Sequence, residues 1–108
     1  MFYALNLFDL EDADLYRSYM KIAGPIVKEL GGDLVVMGRL TDQHPMIMPE
    51  STIGGGQRWC VIATYQTKED VIKFWEHPDN VDFRHLRHES TSNYVWAMYE
   101  QANVMENS

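Results

Sequence analysis

Three stretches of this chain carry large apolar side chains on both of their alternating faces, which doubles the surface the fold must cover. In residues 2–8, Phe2, Ala4 and Phe8 fall on one side and Tyr3, Leu5 and Leu7 on the other. In 58–65, Trp59, Val61, Ala63 and Tyr65 oppose Cys60 and Ile62, and in 93–101, Tyr94, Trp96 and Met98 oppose Val95, Ala97 and Tyr99. A period of two with aromatic and β-branched residues marks strands. Residues 33–41, with Leu34, Val35, Val36 and Met37 in a row, read as a further strand covered on both faces.

Between these runs the period changes. Leu15, Tyr19, Ile22, Ile26 and Leu30 recur at three- and four-residue steps, and the acidic cluster Asp9, Glu11, Asp12 and Asp14 precedes them. Both features mark a long amphipathic helix and its N-terminus, and Gly31-Gly32 supplies the stop. Thr67 caps a second helix whose inner side is Val71, Ile72, Phe74 and Trp75, and a shorter third helix follows Pro78, near 81–89. Residues 43–57, with Pro45, Pro49 and Gly54-Gly55-Gly56, form a connection long enough for a binding loop. The order is βαββαβ with an extra short helix, which predicts an α+β, ferredoxin-like domain over 1–101: a four-stranded antiparallel sheet with helices on one face, followed by a tail at 102–108. Helices on one face leave the other apolar face in water, so a homodimer through the sheet faces is expected.

Composition excludes several classes of function. Sixteen acids against nine bases give a net charge of −7, which repels a phosphate backbone and argues against a nucleic-acid partner. No apolar run is long enough to span a bilayer, and the N-terminus lacks a basic flank followed by an apolar core, so a cytoplasmic protein with no membrane partner is expected. One cysteine, Cys60, allows no internal disulfide and no zinc-finger framework. Gly54-Gly55-Gly56 precedes a strand and is not a nucleotide loop, and no Ser or Cys nucleophile has a matched base.

Strand by strand, the chain resembles the dimeric α+β-barrel superfamily. Tyr16-x-x-Tyr19 followed by Pro25 and Gly31-Gly32 resembles a widespread bacterial branch of uncharacterised function, as does the stretch FWEHPDNVDFRHLR (74–87) around Pro78 and its closing Leu86-Arg87. The second half also resembles the antibiotic-biosynthesis monooxygenase branch, which includes haem-degrading monooxygenases. Those enzymes carry an Asn on the first strand, a Trp on the second helix and a His further on, and Asn6, Trp75 and His85 fall at matching places. The resemblance implies haem as substrate and cofactor, with His85 the axial ligand, Asn6 near the distal oxygen and Trp75 shaping the ring.

Each of these residues also has a plainer reading. Asn6 is either aimed into a cavity or satisfied by neighbouring backbone. Trp75 presses on a flat ligand or is a core tryptophan. His85 and His88 border a pocket or lie on a solvated basic helix with Arg84 and Arg87. The two arginines form a local cationic patch that suits a carboxylate, such as a haem propionate or a small aromatic or hydrophobic acid. Two histidines alone make no closed metal site, so no metal is expected beyond haem iron. Tyr16, Tyr19 and Tyr65 either donate into a cleft or pack. His77 is read as structural, a cation at a helix end. Besides the monooxygenase reading stand a cofactor-independent isomerase or cyclase, with His85 or His44 moving protons and a Tyr holding the oxyanion, and a non-catalytic binding or stress-response protein.

Overall fold

The structure, a computed structural model, describes residues 1–41 and 57–105. The elements are β1 (Phe2–Leu10), α1 (Ala13–Glu29), β2 (Asp33–Arg39), β3 (Trp59–Tyr65), α2 (Lys68–Glu76), α3 (Pro78–Ser90) and β4 (Thr91–Glu100). They form one four-stranded antiparallel sheet in the order β2-β3-β1-β4, with the helices over one face. This is the ferredoxin-like α+β fold. His44 and most of the 43–57 connection lie outside the described residues.

Local chemistry sets the boundaries. Asp12 caps α1 by accepting a hydrogen bond from the Leu15 N–H at 3.0 Å, and Thr67 caps α2 through the Asp70 N–H at 3.2 Å. At the C-terminus of α1, Gly31 takes a φ of +80°, and Gly32 passes so close to β3 that an added Cβ would meet the Thr64 carbonyl oxygen at 2.1 Å. Only glycine fits there, which is why α1 can turn directly into the sheet. The third helix is longer than its sequence suggests. Pro78 is its first residue and His77 its cap, because the His77 Nδ1 accepts from the Asp79 N–H at 3.2 Å while its Nε2 faces Glu29 at 3.4 Å. His77 therefore joins two helices, as the C-cap of α2 and the capping acceptor of α3.

Register places each strand's side chains as the alternation requires. Asn6 pairs with Val61 on β3 and with Trp96 on β4, so Ala4, Asn6, Phe8, Val61, Ala63, Tyr65, Tyr94 and Trp96 share the face under the helices. The opposite face carries Leu5, Leu7, Cys60, Ile62, Val95 and Tyr99. No helix covers it, and Tyr99 is 59% exposed. Strand β2 departs from expectation. It is a sheet edge, and Leu34, Val35, Val36 and Met37 are all exposed in the single chain, because α1 reaches over β2 only at its beginning. Beyond β4, Val104 and Met105 are exposed.

The core has two parts. One gathers Ala4, Val27, Ala63, Tyr65 and Val71; the other gathers Phe8, Tyr16, Tyr19, Ala23 and Val61. Both consist largely of small residues facing tyrosines. A layer of that composition cannot be filled by side chains alone, and a hollow remains between sheet and helices.

Candidate ligand cavity

That hollow is a cavity of about 420 Å³. Its floor is the sheet (Ala4, Asn6, Val61, Ala63, Tyr65, Tyr94, Trp96), and its walls are α1 (Tyr16, Tyr19, Met20, Ala23), α2 (Val71, Ile72, Phe74, Trp75) and Arg87 of α3. Small residues on β1 and β3 leave the room, and aromatic residues define the sides. Apolar walls with a few convergent polar groups describe a small-molecule site.

Asn6 lies on the floor and is also fully engaged. Its Nδ2 donates to the Ala4 carbonyl at 3.3 Å and the Val61 carbonyl at 3.2 Å, and its Oδ1 accepts from the Tyr94 hydroxyl at 2.5 Å. Asn6 thus lines the cavity while its polar groups are met by neighbouring backbone and Tyr94. Trp75 lines the cavity at its mouth and is 37% exposed, so it is not a core tryptophan. The arginines fold inward. The Arg84 guanidinium lies 3.9 Å from the Trp75 ring centre and donates to the Trp75 carbonyl at 2.7 Å. The Arg87 guanidinium sits 5.0 Å from the Trp75 ring and 4.5 Å from the Tyr94 ring, a cation held between two π-faces. Neither arginine forms an ion pair with a carboxylate among the described residues, and the Nε of each is buried with no acceptor.

His85 and His88 are placed elsewhere. Both are exposed on the outer side of α3, where His85 stacks on Phe83, and neither lines the cavity. Burial and the neighbouring Arg87 and Arg84 lower the basicity of His88. The reason is helical phase. Arg84 and Arg87 are three apart and turn toward α2, which leaves the residue after each facing water. Phe83 is also exposed, and Leu86 is half-buried against the core. Arg84 packs on the outside of Trp75, and Arg87 is the one of the pair that reaches the cavity.

The expected haem site is not assembled by these residues. No imidazole lines the cavity among the described residues. Burial pushes the phenols of Tyr16, Tyr19, Tyr65 and Tyr94 up, Tyr94 to about 12 with Arg87 pulling the other way, so they remain neutral and make poor iron ligands. The donor set does not fit haem. The same inventory leaves the His-based isomerase or cyclase without an acid–base residue among the described residues, since His85 is outside and His44 is not described.

Asn80 escaped the sequence reading. It is completely buried; its Oδ1 accepts from the Tyr19 hydroxyl at 2.9 Å and its Nδ2 donates to the Trp75 carbonyl at 3.0 Å. A signal was present: Asn80, Arg84 and Arg87 are spaced four and three apart, a polar stripe on one helical face.

Fold and cavity together define a class: a ferredoxin-like α+β domain with a cavity between its sheet and its helices. No family model and no curated protein matches the sequence. Among solved structures, the chain is similar to a protein of unknown function from Rhodopseudomonas palustris, with a TM-score of 0.75 at 15% identity, covering 94% of this chain and 82% of that one. It is similar to a Nitrosomonas europaea protein assigned by name to the antibiotic biosynthesis monooxygenases, with a TM-score of 0.61 at 9% identity, covering 95% of this chain and 100% of that one. A dimeric ferredoxin-like protein from Thermobifida fusca gives a TM-score of 0.57 at 13% identity, covering 93% and 90%. At these identities the likeness establishes the fold. In the described residues no helix is long and apolar enough to cross a membrane.

Proposed function

We propose that this chain binds a small aromatic anion, a carboxylate or an acidic phenol, in the cavity beneath its helices, and that its reaction class is cofactor-independent monooxygenation of such a ligand. The observation that carries this reading is Arg87. It stands on the wall of an apolar cavity with no carboxylate against it among the described residues, in a chain whose net charge is −7. Such a cation gains most from an anion delivered by the ligand. Trp75, Phe74, Tyr16 and Tyr94 offer flat apolar walls to an aromatic ring. The titratable cavity residues described are the four tyrosines, kept protonated by burial, and Arg87, so none is a base near neutral pH. The ligand must then arrive ionised or be acidic enough for Arg87 to ionise it.

An electron-rich phenolate can react with dioxygen directly. A phenol with a free para carbon and O₂ give the para-quinone and water: one oxygen atom enters the ring, and the second leaves as water with the ring hydrogen and the hydroxyl hydrogen. Arg87 would hold the oxyanion, and Asn6 and Trp75 would frame the reacting ring. The Nitrosomonas europaea neighbour supports this choice of reaction class.

Charge discrimination tests the binding step. The fluorescent anion 8-anilinonaphthalene-1-sulfonate should bind, and Arg87→Met should weaken it about tenfold or more, the usual worth of a charge-assisted contact. The uncharged N-phenyl-1-naphthylamine should change by no more than about twofold. Equal loss of both probes would refute an anion site at Arg87.

The uncovered sheet face supports a homodimer, as in the dimeric neighbour. Light scattering should report twice the 12.6 kDa of one chain, and Leu5→Lys, at the centre of that face, should shift the mass toward one chain. A wild-type particle of single-chain mass would remove the dimer.

A further inference from the structure

Two of the cavity's tyrosines have their hydroxyl hydrogens already committed. The Asn6 amide is fixed in orientation because its Nδ2 serves two backbone carbonyls, so its Oδ1 faces Tyr94 and the Tyr94 hydroxyl must donate to it. The Asn80 amide is fixed in the same way. Its Nδ2 serves the Trp75 carbonyl, so its Oδ1 faces Tyr19, and the Tyr19 hydroxyl must donate. Each phenolic oxygen is left with lone pairs and no hydrogen to offer. Among the described residues the Arg87 guanidinium is the donor beside both oxygens, near enough to pull each phenol down, and no fully aligned hydrogen bond from it to either is formed.

We infer that Asn6 and Asn80 are specificity-determining positioning residues: by turning the hydroxyls of Tyr94 and Tyr19 away from the ligand, they make the cavity select anions that also carry a hydrogen-bond donor. This rests on the anion reading of Arg87 and narrows it. A ligand with only acceptors would set its oxygens against phenolic lone pairs, whereas a ring bearing a hydroxyl or N–H besides its anionic group would satisfy them. Tyr16 and Tyr65, whose hydroxyls make no hydrogen bond among the described residues, can adapt to either and impose no such choice. Discrimination of this kind is sharp because an ether oxygen in place of the hydroxyl both loses a bond and leaves a buried acceptor unmet.

The test is displacement of 8-anilinonaphthalene-1-sulfonate by three aromatic anions: 2-naphthoate, 4-hydroxy-2-naphthoate and 4-methoxy-2-naphthoate, with the 6-hydroxy and 6-methoxy isomers as a second geometry. In at least one geometry the phenol should displace the probe at about tenfold lower concentration than its methyl ether, with unsubstituted 2-naphthoate between them. In Tyr94→Phe the ratio of phenol to ether should fall to about twofold, a readout that mere loosening of the fold would not produce. The wild-type ratio decides the matter even if that variant folds poorly. Ethers that match their phenols in both geometries would overturn this inference and leave the anion site standing. A 2-naphthoate affinity indifferent to Arg87→Met would remove the anion site and this inference with it.

Discussion

The protein is expected to unfold cooperatively on the alkaline side, between about pH 10 and 12, as its buried tyrosines are forced to ionise. Tyr16, Tyr19 and Tyr65 are all less than a tenth exposed, and burial raises the phenol of each, as it does for Tyr94. A phenol with a raised folded-state pKa contributes its full stability below the unfolded value near pH 10. That contribution is lost as the pH climbs, because the unfolded chain releases its proton first. Each such tyrosine removes about 1.4 kcal/mol of stability per pH unit in that window, so four acting together remove about 5–6 kcal/mol per unit. A domain of this size holds about 5–15 kcal/mol in total. Absorbance at 295 nm and far-UV circular dichroism should therefore change in one steep, coincident step. If all six tyrosines of the chain ionise while the circular dichroism stays native, the four tyrosines are not buried as described. The same burial makes ligand affinity flat from about pH 7 to 10 for a ligand already ionised, since no described cavity group titrates there.

Phe8→Ala is expected to cost about 3–5 kcal/mol, the range for emptying an aromatic side chain from a packed core. Phe8 has no exposed surface. Its ring stacks on Tyr94 with centroids 5.2 Å apart and planes at 6°, and packs at 43° against Tyr16 at 5.0 Å. It is the back wall that holds Tyr94 against Asn6 and under Arg87. Urea titration near neutral pH should show a lower midpoint with an unchanged slope, and the aromatic anion probe should bind more weakly even where the variant remains folded. A loss of less than about 1 kcal/mol would mean that Tyr94 is not supported from behind and that the cavity floor is looser than described.

Much of this was legible residue by residue. Alternation in β1, β3 and β4 grouped Ala4 with Asn6, Val61 with Ala63 and Tyr65, and Tyr94 with Trp96, and the register brings the three groups onto one face. Of the stripe read in α1, Tyr19 lines the cavity, and Tyr16 and Ala23 line it beside Tyr19. Asn6 stood out as an amide in an apolar strand. The run Leu34 to Met37 misled, because an apolar stretch reads alike whether it is covered by its own chain or left on a sheet edge. His85 misled because a matching position says nothing about helical phase relative to a neighbouring helix.

The sequence by itself determined the order of elements, the Thr67 cap and the Gly31-Gly32 stop, and the two faces of each strand, because these follow from local turn chemistry and from periodicities of two and of about three and a half residues within short windows. Only the tertiary structure decided which cation meets the cavity. Trp75 and Arg87 belong to different helices separated by the His77-Pro78 break, and the angle between those helices is written in no periodicity. That angle brings Arg87 inward, sends His85 and His88 outward, and buries Asn80 between two walls of the site.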